Sequence, residues 1–147
     1  ELRILNFSKV SLPWERSGDL ISGLKTNTKL EFLSLGDNFI YNKGAEALAG
    51  VIGFLPQLRK LHLRNGALCH ADGRDRCDDP FVESLRYDAS AFLGLANAIA
   101  DHPSLDHVDV SHYTVQIHEK DLEMFKKTIQ AKKPQLSLVA TRKVFKQ

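Results

Sequence analysis

The chain has 147 residues, 43% of them hydrophobic and 26% charged, which fits one soluble globular domain with a sizeable core. A formal net charge of +2 excludes a global electrostatic case for nucleic acid or membrane, and no apolar run approaches the roughly 18 residues of a spanning helix. Two cysteines, Cys69 and Cys77, are too few for a secreted disulfide scaffold and favour a reducing, cytoplasmic setting.

The first element is a strand within "LRILNFSKVSL", where Leu2, Leu5, Phe7, Val10 and Leu12 follow neither a helical nor an alternating period. It lacks the basic start and cleavage site of a signal peptide. Trp14, after Pro13, reads as a packing residue in a wide bend, and Leu20 and Leu24 as the inner face of a helix ended by Asn27 and Thr28. The same spacing returns 28 residues on in "LEFLSLGDNFI", with Leu30, Leu33, Leu35, Asn38 and Ile40. Here Leu33 and Leu35 point inward, Asn38 satisfies backbone groups at the bend, and Ile40 packs beneath it. A helix from about Gly44 then covers the strand with Leu48 and Ile52, and Pro56 stops it.

A third copy, "LRKLHLRNGAL", supplies Leu58, Leu61, Leu63, Gly66 and Leu68. Residues 69–90 are an inserted, locally acidic loop in which Phe81, Val82, Leu85 and Tyr87 fold back onto the body. The helix "SAFLGLANAIADHPSL" restores the pattern through Leu95, Ile99 and Pro103. A fourth copy, "LDHVDVSHYTV", brings Leu105, Val108, Val110, Tyr113 and Val115. The last unit is longer, with 31 residues from Leu105 to Leu136; Leu122, Phe125 and Ile129 line its helix, and "PQLSLVAT" is a terminal strand. Lys126, Lys127, Lys132, Lys133, Arg142, Lys143 and Lys146 make this end basic. It reads first as a solvated cap over the sheet edge and second as a surface for an acidic protein, tubulin or RNA.

Each unit is therefore a strand, a bend, a helix and a return loop, and none can bury its aliphatic wedge alone. The repeated string resembles the leucine-rich repeat, and the 28-residue period with a full helix resembles the ribonuclease-inhibitor-like subclass. The resemblance covers residues 2 to about 68 and 91 to about 138. It implies an α/β solenoid, a horseshoe segment of four to five repeats starting near 2, 30, 58, 105 and 136. A concave parallel sheet and convex helices would form a single domain over residues 1–147. Among the bend positions only Asn38 is the family's expected residue; Val10, Gly66 and Tyr113 cannot form an asparagine ladder. A complete strand motif at the very first residues predicts further repeats before it, or another chain packed there.

The chemistry-bearing residues have plainer explanations. His107, Asp109 and Ser111 alternate along one strand and name a hydrolase triad, but residues two apart on a strand are about 6 to 7 Å apart, beyond hydrogen-bond reach. Cys69, His70 and Cys77 have no paired metal-ligand spacing and read as a loop thiol pair. No phosphate loop or dinucleotide fingerprint occurs, so no cofactor, metal or catalytic residue is assigned. His62, His107 and His112 lie on or beside the sheet, where they would make binding sensitive to pH.

Stacking leaves one side of every strand facing away from the core. The expected contact set is Asn6, Phe32, Ser34, Lys60, His62, Arg64, His107, Asp109 and Ser111. A rigid, extended surface of this kind suits a protein partner, so the first reading is a non-catalytic interaction module or scaffold. The alternatives are an architectural subunit of a large assembly (axonemal, cytoskeletal or organellar), a GTPase-activating domain using Arg64 and Asn65, and an immune-receptor sensing domain.

Overall fold

The computed structural model describes residues 2–12, 14–38, 40–64, 89–111 and 119–141. Within them lie five strands: β1 (Ile4–Asn6), β2 (Phe32–Ser34), β3 (Lys60–His62), β4 (His107–Asp109) and β5 (Ser137–Val139). Four helices alternate with them: α1 (Trp14–Gly23), continued by a 3-10 turn at Leu24–Thr26, α2 (Tyr41–Ile52), α3 (Ala89–Asp101) and α4 (Glu119–Lys132). The strands form one parallel sheet in chain order, each paired with its predecessor.

Register follows the aliphatic spacing. Leu5, Leu33, Leu61 and Val108 are partners across successive strands, and Leu33, Leu61 and Val108 are fully buried. The helices pack in the same order, α1 on α2, α2 on α3 and α3 on α4. Between the two layers Leu48, Ile52, Leu95, Ile99, Phe125 and Ile129 complete one core. Phe92 of α3 and Phe125 of α4 stack with ring centroids 4.3 Å apart and planes 12° from parallel.

Several boundaries differ from the sequence expectation. Trp14 opens α1 instead of lining a bend, and Ile21, not Leu20, is the fully buried aliphatic residue among those described in that helix. Ile21 lies three residues before the buried Leu24, a helical spacing that keeps both on the inner face. The second helix starts at Tyr41, before Gly44, because the Gly44 amide already donates to the Ile40 carbonyl at 2.8 Å. A Cβ on Gly44 would lie 2.8 Å from Ile40 Cβ and 3.3 Å from Ser17 Oγ, so glycine leaves room first for Ile40 at the start of α2 and then for α1. Ala89, expected in the inserted loop, is the first residue of α3; positions 69–88 lie outside the described residues. A 31-residue last spacing would put Val139 opposite Val108, but Leu138 is there, because His107 pairs with Ser137, 30 residues on.

Asn38 ties neighbouring turns together. Its Nδ2 donates to the carbonyls of Phe7 at 2.6 Å, Leu35 at 3.0 Å and Gly36 at 3.2 Å, and its Oδ1 accepts from the Leu12 amide at 3.3 Å. The residue before it, Asp37, has a left-handed backbone (φ 56°), as does its equivalent Lys9 (φ 58°). That bend turns the chain out of the sheet while the ladder runs on through Lys9 N to Gly36 O and Asp37 N to Arg64 O.

The return turns are also stapled. His102 is only 2% exposed; its Nδ1 accepts the amides of Ser104 and Leu105, both at 3.1 Å, so Nε2 carries the hydrogen and donates to the Leu55 carbonyl at 3.0 Å. Lys133 Nζ reaches back in the same way to the Leu105 carbonyl at 2.9 Å. Burial is the main cause that holds His102 below the ordinary histidine pKa. The unfolded chain then binds a proton that the native state refuses, so His102's contribution is complete above about pH 6.5. Stability falls as pH drops from there towards the lowered native pKa. Urea midpoints at pH 7.5 and 5.5 should therefore differ more for the native sequence than for His102→Leu. Equal pH dependence would refute the neutral, doubly accepting ring.

Candidate functional site

The side of the sheet away from the helices carries two rows set by strand register. One runs Ile4, Phe32, Lys60, His107, Ser137; the other runs Asn6, Ser34, His62, Asp109, Val139. Arg64 and Ser111 follow β3 and β4 at the bend end of the face. Of the nine expected contact residues, register places Asn6, Phe32, Ser34, Lys60, His62, His107 and Asp109 in these rows. Asn6, Lys60 and Arg64 are exposed, and Phe32, His62, His107 and Asp109 are half-buried. Ser34 and Ser111 are buried, at 6% and 3% exposure. The hydroxyls of Ser34 and Ser8 are 2.6 Å apart, and Gly36 beside them lets β3's continuation close in, since a Cβ there would stand 2.8 Å from the Arg64 carbonyl oxygen.

Register also makes diagonal neighbours of rings from three strands. Phe32 and His62 meet edge to face with centroids 5.0 Å apart at 79°, and His62 meets His107 at 5.2 Å and 66°. This zigzag was not anticipated, although it follows from the two rows once i and j±2 contacts are considered. His107 Nδ1 also lies 3.0 Å from Ser137 Oγ. Burial, with smaller contributions from His107 and Lys60, pushes the His62 pKa below the ordinary value, and Asp109 opposes the shift.

The triad residue types of β4 serve other partners. Asp109 Oδ1 accepts the Ser111 amide at 2.8 Å, just as Asn6 Oδ1 accepts the Ser8 amide at 2.9 Å in the equivalent place. These are turn caps at the ends of strands. Among the described residues no cluster of three or more metal-ligating side chains occurs; Cys69, His70, Cys77 and His112 lie outside them, as do Asn65, Gly66 and Tyr113. No described helix is long and apolar enough to cross a membrane. A depression of about 520 Å³ lies where the strands begin, lined by Glu31, Pro56, Gln57, Arg59, Ser104 and Asp106. Arg59 and Asp106 already pair there through Nη2 at 2.6 Å, which leaves the sheet face as the better candidate.

No family model and no curated protein matches the sequence. Among solved structures the chain is similar to leiomodin-1 actin-binding site 2, with a TM-score of 0.65 and 15% identity over 100% of this chain and 73% of that one. The likeness shows the fold. A second similar structure is the tropomodulin C-terminal domain of Caenorhabditis elegans, with a TM-score of 0.49 and 17% identity over 91% of this chain and 86% of that one. The leiomodin-1 likeness overturns the assignment to the ribonuclease-inhibitor-like leucine-rich-repeat subclass. Its uniform 28-residue period holds from Arg3 to Glu31 and from there to Arg59, then becomes 47 to Asp106, with 30 between His107 and Ser137.

Proposed function

We propose that the chain is a non-catalytic protein-binding module, a leucine-rich-repeat-like solenoid whose uncovered sheet face receives a protein partner. The observation that carries this reading is the half-buried Phe32, His62 and His107 ring cluster, bordered by Lys60 and Arg64, on a face that no described helix covers. Aromatic and arginine side chains are the usual anchors of protein interfaces, and a rigid sheet loses little entropy on binding. The leiomodin-1 structure is an actin-binding site, and the shared fold makes actin the first partner to test. A cytoskeletal setting agrees with that choice.

Co-sedimentation with actin filaments and a fluorescence titration of monomeric actin test it. The native sequence should bind one of the two forms. Lys60→Glu combined with Arg64→Glu should weaken binding by at least about tenfold, with an unchanged circular dichroism melt because both side chains are exposed. Absence of binding to both forms excludes actin; unchanged binding by the double variant excludes the face.

A further inference from the structure

The middle of the open face gathers basic side chains from two strands. Lys60 and His107 are register partners, which places their main chains about 4.8 Å apart. His62 stands in the other row with its ring against His107, and Arg64 lies two residues beyond the end of β3. Asp109, the register partner of His62, is the one carboxylate in the described rows, and its Oδ1 is held by the Ser111 amide. The face positions of β1, β2 and β5 are Ile4, Asn6, Phe32, Ser34, Ser137 and Val139, all uncharged. The charge imbalance therefore centres on three side chains within reach of one ligand group.

We propose that Lys60, His62 and His107 form a carboxylate-binding subsite for an acidic segment of a protein partner, occupied with uptake of a proton. This rests on the open face being the binding surface. In the free protein, burial and the neighbouring His107 and Lys60 disfavour protonation of His62. A glutamate or aspartate seated between the rings reverses the electrostatic part of that effect, so the complex holds a proton that the free protein lacks. Linkage then fixes the sign. Affinity rises as pH falls through the ordinary histidine range, and levels off once the free His62 is itself protonated. A neutral isostere of the carboxylate gains nothing from the same change of pH.

The experiment uses the full chain and a synthetic glutamate-rich peptide, with the same peptide carrying glutamine as control. Calorimetric titrations run at about pH 7.5 and 6.0, each in two buffers of different ionisation enthalpy. The glutamate peptide should bind at least about fivefold more tightly at the lower pH, and its apparent enthalpy should depend on the buffer. His62→Phe combined with His107→Phe keeps the ring contacts but should abolish the pH dependence. Lys60→Gln should weaken binding at both pH values. Binding that Lys60→Gln weakens but pH leaves unchanged overturns the proton-linked subsite while the face stands. Equal binding of the two peptides, or none, overturns the carboxylate preference, and the actin measurements with the Lys60→Glu, Arg64→Glu variant decide separately whether actin binds through this face.

Discussion

Asn38→Ala should lower the free energy of unfolding by about 3 kcal/mol, because it strips hydrogen bonds from several buried main-chain groups at once. The two N–H groups of the amide are shared among the carbonyls of Phe7, Leu35 and Gly36, while its oxygen receives the Leu12 amide. Phe7 and Leu12 belong to the preceding turn, so the loss falls on the junction between the first two units and not on one loop. Asn38→Asp is the sharper comparison. It keeps size and shape but aims carboxylate oxygens at carbonyl oxygens, and should destabilise at least as much near neutral pH, with partial recovery as the acid is protonated. Urea unfolding followed by circular dichroism measures both. A loss under about 1 kcal/mol for alanine would mean that water replaces the side chain, and that the bend is held by its backbone alone.

Phe125→Ala should cost about 3 to 5 kcal/mol, the usual range for emptying a buried aromatic site. Phe125 is fully buried and stacks on Phe92, so its removal leaves a cavity between α3 and α4 and exposes one face of the partner ring. A double-mutant cycle with Phe92→Ala should return a coupling of about 1 kcal/mol beyond the separate losses. Additive effects would show that the rings fill space independently. The last helix carries lysines along its outer face and relies on Phe125 and Ile129 for its fully buried contacts. The variant should therefore also speed amide exchange in α4 and β5 more than in β2, a test of where the opening occurs.

How far the chain could be read follows from which interactions are local. Leu5, Leu33, Leu61 and Val108 fall in register because each unit solves the same burial problem, and that periodicity survives in the residue types. Helix edges were less legible. Gly44 has the composition of a helix start, yet it sits inside α2, where a Cβ would clash with Ile40 Cβ and crowd Ser17 of α1. His102 was not legible as structural, since beside its local bonds to the Ser104 and Leu105 amides the ring is tied to the Leu55 carbonyl, 47 residues away. The ring zigzag at Phe32, His62 and His107 could have been found by laying the strand rows side by side, because diagonal contacts follow from register. What the face binds leaves no comparable periodic trace in the residues.

The rim where the strands begin has a consequence for assembly. Arg3 pairs with Glu31, and Arg59 with Asp106, across successive turns and largely in solvent. Exposed pairs of this kind add little to stability, on the order of 0 to 1 kcal/mol each. Their signs alternate along the edge, however. A strand that skipped its neighbour would set Arg3 against Arg59 if the second unit were left out, or Glu31 against Asp106 if the third were. The alternation therefore acts as a proofreading code against shuffled stacking, a selectivity that a nearly uniform aliphatic spine could not supply by itself.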